Sequence, residues 1–167
     1  MSVAQEPTLQ ELSDGRFICV MRTLLGCIYF SVSKDRGRTW DVPRPLRYYP
    51  GGPVIPQPLA SCPLYKLHDG RFILIFHNND GSANGGTGPT DSRRVRRPVF
   101  LTVGREIDNP DQPIAFTPPR EVADNDGMPA GRSRHTQIGT YPSLFEYDGR
   151  VYFWYPDRKH YLLGKIL

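Results

Sequence analysis

The sequence has little that would build a helix. Its apolar residues do not recur at the three- and four-residue spacing of an amphipathic helix, so a helical core is excluded. No apolar run approaches the roughly 20 residues of a membrane span. Cysteine is scarce, with Cys19, Cys27 and Cys62 as the whole complement. An odd count without close spacing excludes a disulfide framework or a zinc knuckle, and predicts free, mostly buried thiols. The four histidines and three cysteines show no metal-ligand spacing, so neither a metal nor an organic cofactor is expected. The net charge is only +4, and apart from Arg93-Arg94-Val95-Arg96-Arg97 the basic residues are scattered. That speaks against nucleic acid as a partner. No signal peptide opens the chain, and the compartment, secreted, periplasmic or other, is left open.

Turn chemistry is what the chain has in plenty. It holds 16 glycines and 17 prolines in 167 residues, against a usual combined share of roughly 12 %. One unit recurs three times. Glu11-Leu-Ser-Asp-Gly-Arg-Phe-Ile-Cys-Val-Met-Arg22 is followed by Lys66-Leu-His-Asp-Gly-Arg-Phe-Ile-Leu-Ile-Phe-His77, then by Glu146-Tyr-Asp-Gly-Arg-Val-Tyr-Phe-Trp-Tyr-Pro156. Each reads as a short strand, an Asp-Gly turn and an apolar strand rich in β-branched and aromatic residues. A third strand follows in each unit, at Cys27–Ser33, Val99–Gly104 and Tyr161–Ile166. Three related antiparallel sheets of three or four strands are the pattern of propeller blades, here roughly 1–45, 58–117 and 138–167. Between the strands lie turn-rich loops at Asp41–Pro58, Asn78–Asp91 and Arg105–Gly139. A propeller closes with about four to eight blades, so an N-terminal half is expected upstream or on another chain. The last run, Tyr155–Leu167, reads as a strand finishing a blade at a natural end.

The run Ser33-Lys-Asp-Arg-Gly-Arg-Thr-Trp40 reads as a turn that closes on itself. Asp35 accepts from backbone N–H groups, Gly37 takes a positive φ, Ser33 and Thr39 tie the sides, and Trp40 is expected buried beneath. Glu6 and Arg22 lie eight residues either side of Asp14, so they should meet across the hairpin end away from the turn. A cross-strand ion pair worth under about 1 kcal/mol is one reading of that pair. Aligning the hairpins on Asp14, Asp69 and Asp148 matches Glu6 with Ser61 and Thr140, with Tyr141 one residue on, and Arg22 with His77 and Pro156. His77 then either lines a pocket or sits as a satisfied core histidine. Asp157–His160 reads as a solvated turn and His135 as a loop residue.

These motifs resemble the sialidase superfamily. The Ser33–Trp40 run resembles its Asp-box, and the Glu6-to-Arg22 unit resembles its catalytic blade. Gly139-Thr-Tyr-Pro-Ser-Leu-Phe-Glu-Tyr-Asp-Gly-Arg150 is similar to its Tyr-Ser-x-Leu segment. The resemblance implies the C-terminal half of a six-bladed, all-β propeller. It implies Tyr141 as nucleophile and Glu6 as its base, with Arg22 and one of Arg96 or Arg97 binding a substrate carboxylate. The partner implied is a glycan with a terminal acidic sugar. A neutral phenol suits that substrate, because an anionic nucleophile would be repelled by the sugar's own carboxylate. The family's general acid and first arginine belong to blades not in these 167 residues, so the chain alone is expected to be inactive. The alternatives are a same-fold glycosidase for a neutral sugar, a non-catalytic glycan-binding module, and a fragment without independent function.

Overall fold

The computed structural model describes residues 4–167. It is all-β, built as three antiparallel sheets that match partial propeller blades. The first sheet orders β1 (Gln5–Glu11), β2 (Phe17–Arg22), β3 (Tyr29–Ser33) and β4 (Arg44–Pro45) side by side. The second joins β5 (Leu64–Lys66), β6 (Phe72–Phe76), β7 (Val99–Glu106) and β8 (Ile114–Phe116), with β9 (Arg120–Ala123) sharing the β7 edge. The third is β10 (Ser143–Tyr147), β11 (Arg150–Asp157) and β12 (Tyr161–Ile166). Part of the Arg105–Gly139 stretch, read as loop from sequence, is thus strand: β8 and β9 are three and four residues long. Elements that short carry little periodicity.

Side-chain alternation sets how the sheets stack. Every residue of β6 is buried. Phe72, Leu74 and Phe76 face the first sheet and join Ile18, Val20 and Phe30, while Ile73 and Ile75 face the third and join Phe153. Successive side chains on a strand point to opposite faces, so a strand apolar throughout belongs between two sheets. β11 has only one covered face. Phe153 is buried in the second core, whereas Trp154 is 39 % exposed on the outer side.

The recurrent Asp-Gly-Arg turns also have a local cause. In the first hairpin Leu12 N–H donates to Arg16 O at 2.8 Å and Gly15 sits at φ 84°. Asp14 accepts from Arg16 N–H at 3.0 Å and pairs with Arg16 Nε at 2.7 Å. Asp69 repeats this with Arg71 at 3.0 and 2.6 Å. The third turn is tighter. Tyr147 pairs directly with Arg150, and Asp148 and Gly149 both take positive φ, 49° and 68°. A two-residue loop replaces a three-residue loop, and one residue drops out of the incoming count.

The Ser33–Trp40 turn closes through its side chains. Asp35 accepts from Thr39 N–H at 2.8 Å, Thr39 Oγ1 at 2.6 Å and Ser33 Oγ at 2.8 Å. Those bonds, the Thr39 hydroxyl first, hold the Asp35 carboxyl down at about 2. Trp40 departs from expectation. Its indole donates to Gly37 O at 3.2 Å, but the ring is 39 % exposed because it lies on the first sheet's uncovered face. Asp157 departs too. It is buried, with Arg158 at 2.6 Å and Asn125 at 2.8 Å, so only the residues after it form a surface turn.

Candidate active site

The three hairpins carry equivalent residues to one mouth. Glu6 lies six residues before Leu12, Ser61 six before Leu67, and Tyr141 six before Tyr147, counting back from the residue that opens each turn. The shorter third loop therefore selects Tyr141 where alignment on the aspartates selects Thr140. Equal six-residue spans then bring the three positions together, at the end away from the turns.

Glu6 sits at a bulge. The Cα partner of Arg22 is Gln5 rather than Glu6, and the β1–β2 register shifts between Gln5 and Thr8. Glu6 has φ 51° and Tyr141 φ 60°, and each precedes a proline. A left-handed conformation at such residues costs on the order of 1–3 kcal/mol, and strain of this kind concentrates at functional sites. The side chains meet. Tyr141 OH donates to Glu6 Oε1 at 2.8 Å, and Arg22 Nη2 reaches the same oxygen at 2.8 Å. Gln5 Oε1 accepts a further bond from Arg22 Nη2 at 2.8 Å. Among the described residues Glu6 Oε2 and Arg22 Nε are buried without a partner. A cavity of about 230 Å³ beside them is lined by Glu6, Thr8, Ser61, Cys62 and Tyr141. Burial pushes the Cys62 thiol up, and the Glu6 charge adds to this, so it stays protonated and is no rival nucleophile.

The arginines divide. Arg96 turns inward, donating to Leu59 O at 2.5 and 3.1 Å and to Gln137 Oε1 at 3.1 Å. Among the described residues it has no carboxylate partner. Burial, then the charge of Arg22, pull Arg96 below its ordinary value, while Tyr141 and Glu6 oppose this. Arg97 is the other member of the pair, of which one alone is expected at the site. It makes a two-pronged pair with Asp124 at 2.7 and 3.0 Å and donates to Asn84 at 3.1 Å. Both arginines precede β7, and the carboxylate of Asp124, just after β9, claims Arg97. His77 is a correction as a substrate ligand. It is 1 % exposed, its Nε2 donates to Ile138 O at 2.9 Å, and Nδ1 is unpartnered. Burial lowers its pKa to about 4, so it is a neutral core residue beneath the site.

Sequence reasoning missed the residues that hold these groups. Ser61, Gln57 and Gln137 are all buried and polar. Only Ser61 left a signal, its match to Glu6 in the hairpin alignment. A larger cavity, about 870 Å³, lies elsewhere, between the second and third sheets beside Leu67, Ile73, Val103 and Val122. Its lining includes Arg71, Arg120 and Glu121 but no nucleophile–base pair. Among the described residues no group of three or more His, Cys, Asp or Glu could hold a metal, and no helix is long and apolar enough to cross a membrane.

The fold is shared with solved glycan-processing proteins. The leech intramolecular trans-sialidase, solved with 2,7-anhydro-Neu5Ac, matches with TM-score 0.58 and 20 % identity. The intramolecular trans-sialidase of Ruminococcus gnavus, in complex with oseltamivir carboxylate, matches with TM-score 0.57 and 21 % identity. The Bacteroides ovatus xyloglucan PUL GH43B protein matches with TM-score 0.52 and 21 % identity. These alignments cover 98, 99 and 100 % of this chain but only 23, 31 and 30 % of those chains. The chain thus spans about a quarter to a third of their length. No family model matches it, and no curated protein does. The likeness establishes a propeller-like fold in common with these proteins.

Proposed function

We propose that the chain carries part of the active site of a retaining, sialidase-like glycoside hydrolase. Tyr141 is the nucleophile, Glu6 its general base, and Arg22 with Arg96 receives the carboxylate of a terminal acidic sugar. The observation that carries this reading is the 2.8 Å bond from the Tyr141 hydroxyl to Glu6 Oε1. A phenol is a weak nucleophile near neutral pH, and a carboxylate at hydrogen-bond distance can take its proton as the anomeric carbon is attacked. Tyrosine in place of a second carboxylate avoids placing negative charge against the sugar's own carboxylate. The guanidinium of Arg96, without a carboxylate of its own, is electrostatically matched to an anionic ligand.

Release of the aglycone needs a proton donor besides Glu6. Glu6 is the sole carboxylate among the described residues lining the two cavities beside Tyr141. The 167 residues alone are therefore proposed to bind such a sugar without turning over an ordinary glycoside. Calorimetric titration with N-acetylneuraminate, its methyl ester and arabinose tests the ligand class. The acid should bind, the ester about ten-fold more weakly, and Arg96→Met should lower affinity for the acid by a similar factor. Equal binding of acid and ester, or tighter binding of arabinose, would favour a neutral-sugar glycosidase instead.

A further inference from the structure

We infer that Ser61 is a positioning residue for Tyr141: its hydroxyl holds the backbone of Tyr141 so that the phenol sits on Glu6. The role assigned to Tyr141 rests on the proposed function, whereas the positional claim concerns geometry alone. Tyr141 is 60 % exposed, so packing does not fix its ring. It lies ahead of β10, which begins at Ser143, and has no strand partner for its N–H. That N–H donates to Ser61 Oγ at 2.8 Å, across 80 residues of sequence. The bond holds a residue whose φ is 60° and which is followed by Pro142. A backbone in that region returns toward extended geometry when released. The phenol oxygen lies several bonds from Cα, so a modest change in φ carries it out of reach of Glu6.

Ser61 is itself held from below. Gln57 is fully buried, and its Nε2 donates to Ala60 O at 3.0 Å and to Ser61 O at 3.1 Å. Gln57 Oε1 accepts from His77 N–H at 2.8 Å, which fastens the loop to the end of β6. The next residue after Tyr141 is tied as well, since Tyr65 OH donates to Pro142 O at 2.7 Å. Through Ser61 and Tyr65 the second sheet thus sets the distance between the first sheet's Glu6 and the third sheet's Tyr141. Ser61 occupies in its hairpin the position that Glu6 and Tyr141 occupy in theirs.

Two mass-spectrometric readouts on the full chain test this. In Ser61→Ala, hydrogen exchange at the Tyr141 amide should speed up about five- to ten-fold, the effect of one lost hydrogen bond, with β6 amides unchanged. Nitration of Tyr141 by tetranitromethane, with exposed Tyr147 as internal reference, reads the phenol–carboxylate contact. Glu6→Gln should change the Tyr141 nitration rate in the wild-type background but not in Ser61→Ala, because the contact is already lost there. Unchanged exchange at Tyr141, an undiminished response to Glu6→Gln, or loss of protection throughout β6 would each overturn the assignment. Neither readout involves a sugar, so failure of the functional reading in ligand binding is a separate result.

Discussion

Glu6 Oε1 takes two hydrogen bonds, one from the nucleophile candidate and one from Arg22, while its second oxygen is buried and, among the described residues, unpartnered. Removing Arg22 leaves the Glu6 charge uncompensated in a half-buried position, whereas removing the Tyr141 hydroxyl leaves the ion pair in place. Arg22→Met should therefore lower the thermal midpoint more than Tyr141→Phe, which deletes one exposed hydroxyl. Differential scanning calorimetry of the two variants checks the order. His77 makes a pH prediction. Its pKa is about 4 in the folded chain because burial disfavours the cation, with the Arg96 charge acting the same way. Its ordinary value is near 6.5, so the unfolded chain binds the extra proton first as pH falls. The stability of the neutral form is complete above about 6.5 and is lost as pH drops toward about 4, on the order of 3 kcal/mol in all. His77→Gln keeps a donor for Ile138 O without the titration. Unfolding free energies between these pH limits should fall less steeply for the variant than for the wild type.

At the scale of elements, stability is concentrated where strands are covered on both faces. Phe72 in β6 is fully buried in the core between the first two sheets, and Phe72→Ala should cost about 3–5 kcal/mol in denaturant unfolding. Tyr147→Ala, at an exposed position opening the third turn, should stay within about 0.5 kcal/mol. The hairpins were legible in the sequence because Asp-Gly between apolar runs has one dominant local solution. The strand identities followed from composition, since a run such as Phe72–Phe76 is β-branched or aromatic enough to be buried on both faces. What the sequence did not disclose is set by tertiary geometry. The third turn is one residue shorter than the others, which moves the matched position from Thr140 to Tyr141. The bulge before Thr8 shifts the Arg22 pairing to Gln5 while Glu6 still reaches it through a left-handed φ. Arg97 was separable from Arg96 only once β9 delivered Asp124 to it. Ser61 and Gln57 look like ordinary loop polars until their partners, 80 and 20 residues away, are seen.

The whole molecule is a stack of three sheets whose end faces are apolar and uncovered in this chain. On the first sheet Trp40 and Val42 are exposed, and on the third Phe145, Trp154, Leu162 and Ile166. Such faces are a liability for association. The isolated 167 residues should run as an oligomer or precipitate at micromolar concentration, and a monodisperse monomer in light scattering would contradict the half-propeller account. The central claim concerns the chemistry at the mouth of the stack, where Tyr141, Glu6, Arg22 and Arg96 converge. A sialosyl fluoride bearing a second fluorine beside the anomeric carbon tests it most directly. Fluoride departs without a proton, so no general acid is required, and the second fluorine slows hydrolysis of the glycosyl-enzyme. Intact-mass and peptide analysis after incubation should show one glycosyl adduct on Tyr141, reduced in Glu6→Gln and absent in Tyr141→Phe. No adduct, or an adduct that survives Tyr141→Phe, would contradict the assignment of Tyr141 as nucleophile.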